Sequence, residues 1–161
     1  MRAKGFSLIE LLAVLAILGV LSAMAMPLAQ MNAERARETE LKRSLWQIRD
    51  ALDAYHAARL TGAIAPPPGT DASGAAGYPP TLHALTVLQP DLRADHHGES
   101  LRFLRQVPAD PFADPTLDPE QTWGLRSFLS EADKPVAGAD VYDVHSRSTG
   151  TALNGVPLSQ W

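Results

Sequence analysis

The sequence predicts an α+β protein in which a long N-terminal α-helix packs on a small antiparallel β-sheet. Three observations support this fold class. An almost uninterrupted apolar run occupies residues 6–26, and a helical apolar stripe continues from it to about Leu60. Two strand-like segments lie beyond residue 120. The order of one long helix followed by short strands is typical of an α+β arrangement.

The apolar run has the length of a transmembrane helix. Roughly 20 apolar residues suffice to cross a bilayer, and the basic residues Arg2 and Lys4 before the run favour a cytoplasmic N-terminus. A carboxylate, Glu10, lies inside the run. A charged side chain near the centre of a membrane helix costs about 2.5–3.5 kcal/mol on insertion scales, so Glu10 requires a functional explanation.

The second half of the helix is predicted to be amphipathic. Its large apolar residues recur at intervals of four and three and form one stripe, while charged residues fall largely off that stripe. We therefore predict a near-continuous helix from about Phe6 to about Leu60. Pro27 removes one backbone donor and predicts a kink or helix break at that point. The stripe consists of Leu41, Leu45, Ile48, Leu52 and Tyr55.

The middle of the chain is predicted to be mostly irregular. Residues 63–80 are rich in proline and glycine and predict a surface loop. Thr81 is predicted to be the N-cap of a short helix through LHALTVL, which Pro90 ends. After a polar loop, an apolar alternation returns at residues 101–107.

The C-terminal part is predicted to form an antiparallel strand pair from residues 123–129 and 139–146, with Trp161 packing back on it. The predicted organisation is then a short segment at 1–5, a transmembrane helix at 6–27, and a globular domain at 28–161 on the far side of the membrane. That domain includes the amphipathic half of the helix, about 28–60, and a C-terminal sheet at about 120–161.

Composition limits the possible partners and stabilising devices. The chain has 161 residues and no cysteine, so no disulfide stabilises the globular part. The 14 Lys and Arg residues against 18 Asp and Glu residues give a net charge of -4. A mildly acidic, mixed-charge surface argues against nucleic acid as a partner.

The segment KGFSLIELL, Lys4 to Leu12, resembles the class III signal of type IV pilins and type II secretion pseudopilins. The resemblance implies that a prepilin peptidase cuts between Gly5 and Phe6 and methylates the new amine, so that the mature chain begins with N-methylphenylalanine. By the same resemblance, residues 1–5 are the leader peptide, residues 6–27 the transmembrane and assembly helix, and residues 28–161 the periplasmic globular domain. Glu10 would then be the fifth residue of the mature chain. Pro27 falls at the position of the helix-breaking proline in that family.

The same resemblance implies how Glu10 is used in assembly. Cleavage creates an ammonium group at Phe6, which can pair with the Glu10 carboxylate of a staggered neighbouring helix. An unpaired buried charge is costly, so this pairing favours one axial register. The implied partners are other copies of the chain in a homopolymer, minor pseudopilins, the prepilin peptidase and an inner-membrane assembly platform. The implied location is the bacterial inner membrane, with a single pass, a cytoplasmic N-terminus and a periplasmic domain, and then a periplasmic filament.

Three later segments are similar to the major pseudopilin of type II secretion: YPPTLHAL at 78–85, FLRQVPADPFADP at 103–115 and DVYDVHS at 140–146. The implied function is a non-enzymatic filament subunit that drives protein export. That family typically binds calcium in the loop after the last strand. Residues 147–155 contain no Asp or Glu, and alternation places Asp140 and Asp143 on opposite faces of a strand. No metal site and no cofactor are therefore predicted.

The remaining polar residues do not indicate catalysis. His96 and His97 are adjacent and lack a zinc-motif spacing, so they are interpreted as solvated loop residues. No serine lies in a G-x-S-x-G motif. Asp110, Asp114 and Asp118 are spaced by four, but the proline after each prevents a shared helical face, and we predict that they are turn residues.

Three alternatives stay open at this level. Ala23-Met24-Ala25 fits an ordinary signal-peptidase site, which would make Met26 the mature N-terminus. A minor pseudopilin, or a type IV pilus or competence pilin, fits the same N-terminal motif. A membrane-anchored periplasmic binding module or enzyme is the alternative from a different functional class.

Overall fold

A computed structural model describes residues 7–67, 76–96 and 98–161, with their side chains except those of residues 23–28. The chain divides into two compact units, with the boundary between Arg37 and Glu38. The N-terminal unit consists of the first part of a long helix. The C-terminal unit contains the rest of that helix, several 3₁₀ turns and two short antiparallel strand pairs. The predicted α+β class is confirmed.

Helix α1 extends from Leu8 to Leu60, close to the predicted bounds. In the C-terminal unit its apolar stripe faces the core, and all five residues of the predicted stripe are at most 2% exposed. Ser44 and Ala51 lie on the same face and are also buried. The 3.6-residue period therefore identified this packing face from sequence alone.

The helical assignment continues through Pro27. The Pro27 side chain belongs to the stretch 23–28, whose side chains lie outside the description, so a kink there stays a prediction. In the described part of the chain, none of the helices combines the length and the hydropathy needed to cross a membrane.

The described residues on both sides of 68–75 pack near α1 without regular structure. Residues 63–67 and 76–80 contain neither helix nor strand, as predicted, and residues 68–75 lie outside the description. Tyr78 is buried, its ring stacks on that of His56 at 4.3 Å, and it meets the ring of Tyr142 edge-on at 5.0 Å. The carbonyl of Pro79 accepts a hydrogen bond from Val141 N at 2.8 Å. This segment therefore joins the helix to the C-terminal strands.

The predicted short helix is a 3₁₀ turn at Leu82–Leu85, not a helix through residue 88. Thr81 occupies the N-cap position with extended backbone angles, but its side chain makes no capping hydrogen bond, so the predicted capping interaction was wrong. Leu82 and Leu85 point into the core, which explains the turn better than capping does. With so few residues, local hydrogen bonding cannot sustain an α-helix.

Strands β1 (Gln89–Pro90) and β2 (Ser100–Leu101) form a two-residue antiparallel pair. The intervening residues contain a 3₁₀ turn at Ala94–His96. The chain closes this loop where Asp91 N donates to the carbonyl of Glu99 at 3.0 Å. The apolar alternation predicted for residues 101–107 forms a strand only at Leu101, while Leu104 and Val107 pack in the core from irregular backbone.

Strands β3 (Trp123–Arg126) and β4 (Asp143–Ser146) form the predicted antiparallel pair, with Trp123 opposite Ser146 and Leu125 opposite Val144. Both are shorter than predicted. Gly124 lies opposite His145, and a Cβ at residue 124 would come within 2.2 Å of the imidazole Nε2. Any larger residue at position 124 would therefore have to displace the His145 ring.

The core of the C-terminal unit is formed between the buried face of α1 and the segments that cross it. The ring of Trp161 is partly buried against this cluster, as predicted, and Lys42 Nζ lies 4.3 Å from its centroid. The fully buried large side chains of the core include Leu41, Leu45, Ile48, Leu52, Tyr55, Ile64, Leu85, Val141, Val144 and Leu158.

Candidate functional site

The N-terminal part of α1 is an apolar helix without a covered face. Every residue from 7 to 22 is exposed. The large apolar side chains in this stretch are between 48% and 77% exposed. They lie on all sides of the helix: Leu8, Ile9, Leu11, Leu12, Val14, Leu15, Ile17, Leu18, Val20 and Leu21.

This exposure is physically different from that of an ordinary surface helix. A surface helix buries one apolar stripe and presents a polar face to water, whereas a helix that is apolar on all sides is buried in a protein or a membrane. Each large apolar side chain gains about 1.5–3 kcal/mol when it moves from full exposure to full burial. Ten such residues within residues 8–21 therefore favour burial of this helix against an apolar partner, such as lipid or another helix.

One carboxylate interrupts this surface. Glu10 lies in the first turn of α1 and is exposed. Its backbone N–H, and that of Leu11, donate to the carbonyl of Ser7 at 3.1 and 3.2 Å. A negative charge in the first helical turn interacts favourably with the helix dipole, typically by about 0.3–1 kcal/mol. That gain is smaller than the cost of placing the charge in hydrocarbon.

The other predicted processing residues are placed only in part. Gly5 and Phe6 lie outside the described residues, and the Pro27 side chain does as well. The pairing of Glu10 with the amine of Phe6 and the cleavage after Gly5 stay predictions. The structure brings Glu10 together with the exposed apolar surface that surrounds it.

Arg49 connects α1 to the C-terminal strands. Its Nε donates to Asp143 Oδ1 at 2.8 Å, and one terminal nitrogen donates to the carbonyls of Val144 and Trp161 at 3.1 and 2.6 Å. Arg126 also faces Asp143, with a nitrogen–oxygen distance of 3.7 Å. Burial lowers the pKa of the neighbouring His145; Asp143 opposes this shift, while Arg147 and Arg49 add to it.

The C-terminal loop is held by hydrogen bonds to its surroundings. The Glu38 carboxylate on α1 accepts from Leu153 N at 2.6 Å, and Arg147 donates to the carbonyl of Gln121 at 3.1 Å. Within the loop, Leu158 N donates to the carbonyl of Gly150 at 3.0 Å. The buried side chains of Ala152 and Leu158 pack in the core. Packing and hydrogen bonds thus hold the loop.

The described residues of this region do not fit a calcium site. Calcium requires 6–8 oxygen ligands, usually with carboxylates among them. The nearest carboxylates have other partners: Asp143 pairs with Arg49, Asp140 accepts from Phe128 N at 3.0 Å, and Asp110 accepts from Ser146 Oγ. The loop residues 147–155 add no carboxylate of their own.

All three spaced aspartates are turn residues, as predicted, because the carbonyl of each accepts a hydrogen bond from the N–H three residues later, at 2.8–3.2 Å. Asp110 Oδ1 accepts from Phe112 N at 2.8 Å, and Asp114 Oδ1 accepts from Thr116 N at 2.9 Å. Asp110 is also buried at 3% exposure and bonds to Ser146. That second role was not predicted, because sequence spacing does not show that residues 36 positions apart meet.

The three connections made by Arg49, Glu38 and Ser146 were likewise missed by sequence reasoning. Each joins positions separated by more than 30 residues. One signal was present for Arg49: it lies at the border of the buried stripe, next to Ile48. Its acceptors, however, lie on distant segments that the pattern does not connect.

A known protein-family motif matches the N-terminus of the chain. The prokaryotic N-terminal methylation motif matches residues 1–26. This is the motif of type IV pilin-like proteins, and it confirms the resemblance predicted from KGFSLIELL.

A particular relative extends the likeness beyond the N-terminus. The chain is 28% identical over 114 residues to the type II secretion system core protein G of Klebsiella pneumoniae. The aligned region covers 69% of this chain and 70% of the relative. The predicted resemblance to type IV pilins and type II secretion pseudopilins is thus supported by the N-terminal motif and by this relative. No solved structure matches the chain.

Proposed function

We propose that this chain is a structural pseudopilin subunit of type II secretion. In this proposal, prepilin peptidase cleaves between Gly5 and Phe6 and methylates the Phe6 amine. The mature subunits then polymerise into a periplasmic filament that drives protein export. The observation that carries the proposal is the apolar helix at residues 8–21, exposed on all sides and interrupted by the single carboxylate of Glu10.

The exposed helix suits two successive environments. As a single subunit, the chain is anchored in the inner membrane by this helix, with its N-terminus in the cytoplasm and its globular part in the periplasm. In the filament, helices of neighbouring subunits cover the same apolar side chains. Lipid and neighbouring helices both satisfy apolar surface, so transfer between them costs little in hydrophobic burial.

Glu10 gives the filament its register. The apolar surface alone permits many axial offsets, because dispersion contacts are not directional. A carboxylate in a low-dielectric environment is stabilised by an opposite charge. Removal of one member of such a pair leaves the other unpaired, at a cost of about 3–5 kcal/mol. The ammonium of a neighbour's mature Phe6 is the partner in this proposal. The offset that joins the two groups is then favoured over the others.

The processing step has a direct test. The intact mass of the membrane-extracted chain is expected to equal residues 6–161 plus one methyl group. An unprocessed, unmethylated chain in cells that contain prepilin peptidase would contradict the proposal. A chain that begins at Met26 would instead identify an ordinary signal peptide.

We further propose that this chain is the major subunit of the filament. In this proposal the filament consists mainly of copies of this chain, together with a small number of minor pseudopilins. The similarity to core protein G supports this choice. Single cysteines at Ser7 and Leu11 test it, because the native chain has no cysteine to interfere. Ladders of crosslinked copies are expected, whereas crosslinks to other pilin-like proteins alone would identify a minor subunit or a pilus subunit.

The proposed role is structural and not enzymatic. The N-terminal motif and the similarity to core protein G both support a filament subunit. The proposed partners are other copies of the chain, minor pseudopilins, the prepilin peptidase and the inner-membrane assembly platform. Secretion by cells that lack the chromosomal copy, restored by the wild-type chain and not by a Glu10 variant, is the functional test.

A further inference from the structure

Three side chains that can ligate a metal lie in the loop of the β1–β2 hairpin, away from the N-terminal helix and the C-terminal strands. Asp91 directly follows β1, Glu99 directly precedes β2, and His96 ends the 3₁₀ turn between them. One ligand atom from each of the three residues lies within 4.8 Å of the other two. We infer that this cluster binds a divalent transition-metal ion of the zinc type, which closes the loop from Asp91 to Glu99.

The chemistry of the donors indicates the class of ion. One imidazole and two carboxylates suit zinc and its neighbours, whereas calcium prefers oxygen ligands alone. Ligand distances of about 2.0–2.2 Å place two ligands of one ion at most about 4.4 Å apart. The three ligand atoms lie within 4.8 Å of one another, which is close to this limit. Glu99, which is 67% exposed, has the freedom to adjust its position.

The loop already holds two of the three ligands in place. His96 Nδ1 lies 2.8 Å from Glu99 Oε2, so the imidazole and the carboxylate already face each other. The Asp91 side chain is fully buried and faces the same point from the base of the loop. Pre-arranged ligands lower the ordering cost of binding an ion.

Arg93 has to be reconciled with an ion at this position. Its Nε, its terminal nitrogen and its backbone N–H all donate to the Asp91 carboxylate, at distances between 2.5 and 3.1 Å. These donors make four contacts with two oxygens that offer about four lone-pair positions, because Nε reaches both oxygens. An ion at this position therefore takes the place of the longest contact, the one at 3.1 Å from Nε to Oδ2. Arg93 then orients a ligand carboxylate from behind, a common arrangement around bound metals.

The charges are compatible with a dication. Asp91 and Glu99 contribute two negative charges and Arg93 one positive charge, while a ligating imidazole is neutral. The site therefore carries one net negative charge before binding. Three protein ligands leave positions for water on the exposed side, as in open zinc sites. In a chain without cysteine, such an ion fixes a long loop that disulfides cannot.

Zinc titration of the full chain tests the inference. The detergent-solubilised protein, without a histidine tag, is freed of metal with EDTA and titrated with zinc chloride in a calorimeter. We expect one ion per chain. His96→Ala and Glu99→Gln are each expected to weaken binding at least about tenfold. Glu99→Gln is the informative variant, because an exposed isosteric change leaves the fold intact.

A second histidine–carboxylate pair supplies the matched control. His83 Nδ1 lies 3.1 Å from Glu120 Oε1, and both side chains are exposed. His83→Ala and Glu120→Gln are expected to leave zinc affinity unchanged. Zinc should also raise the Tm of the wild type and of these controls, but not that of His96→Ala.

Three results would overturn the inference. They are no zinc binding by the wild type, binding that both His96→Ala and Glu99→Gln retain, and binding that is lost in His97→Ala but kept in His96→Ala. None of these bears on processing or filament assembly, so the metal site and the proposed function fail separately.

Discussion

Arg49 and Asp143 form an ion pair at 2.8 Å that joins the C-terminal part of α1 to the first residue of β4. The same guanidinium also binds the carbonyls of Val144 and Trp161. One side chain on the helix thus fixes the last strand and the C-terminal segment together. Both side chains are partly buried, at 34% and 27% exposure.

We predict that Arg49→Met lowers the free energy of unfolding of the globular part by about 2 kcal/mol, because three hydrogen bonds to a charged donor are lost and two carbonyls lose a partner. Arg49→Lys should recover only part of this, since an ammonium cannot span three acceptors in a fixed fork. Denaturant unfolding followed by tryptophan fluorescence measures the effect. Arg43→Met, an exposed change on the same helix, is the control. Equal loss in both variants would argue against a specific role.

Ser146 provides a second prediction, because its hydroxyl is fully buried and donates to the buried Asp110 carboxylate. Ser146→Ala leaves that carboxylate short of a donor, which costs about 1–3 kcal/mol. The Ser146 oxygen also accepts from Ser148 N at 3.1 Å, so hydrogen exchange at residue 148 should accelerate. Ser159→Ala, at an exposed position, should change neither quantity.

His145 predicts a pH dependence of stability. Because burial lowers its pKa in the folded state, the unfolded chain binds more protons just below the ordinary value of 6.5. The stability contributed by neutral His145 is therefore present above pH 6.5 and is lost as the pH falls through the lower folded-state pKa. His145→Asn should flatten this part of the stability curve. An unchanged slope in His145→Asn would contradict this assignment.

Glu10 is the residue whose change should separate insertion from assembly. Glu10→Leu makes the helix more apolar, so membrane insertion and processing are expected to continue. Filament formation and secretion are expected to fall at least about tenfold, because the proposed charge pair between Glu10 and the Phe6 amine would be lost. Crosslinking ladders and secreted protein levels measure the two outcomes. Glu34→Leu removes an exposed carboxylate farther along the helix and serves as the control. Normal assembly of Glu10→Leu would refute the pairing.

A substitution of Gly5 is expected to separate membrane insertion from processing. A bulky residue, as in Gly5→Leu, is expected to block cleavage and leave the full-length precursor in the membrane, with no methyl group on residue 6. The intact mass of the extracted protein distinguishes the precursor from the mature chain. Ala3→Leu, two residues earlier, should be processed normally. Efficient processing of Gly5→Leu would show that the peptidase cuts elsewhere.

Local and periodic features were predicted well. The buried stripe from Leu41 to Tyr55 follows from 3.6-residue spacing, and the β3–β4 pair follows from two strand-like segments with a turn between them. The 3₁₀ turn at Leu82–Leu85 was expected to be a longer helix. Capping by Thr81 was a weak guide there, because the burial of Leu82 and Leu85 fixes the conformation.

By itself, the sequence determined the N-terminal processing motif, the apolar helix with one carboxylate and the face of α1 that is buried. These features depend on residue order and helical period, which neighbouring residues define. Only the tertiary structure decided which groups meet: Arg49 with Asp143, Ser146 with Asp110, and Asp91 with His96 and Glu99. Such contacts depend on the closure of loops and the docking of distant segments, and spacing along the chain carries no direct record of them.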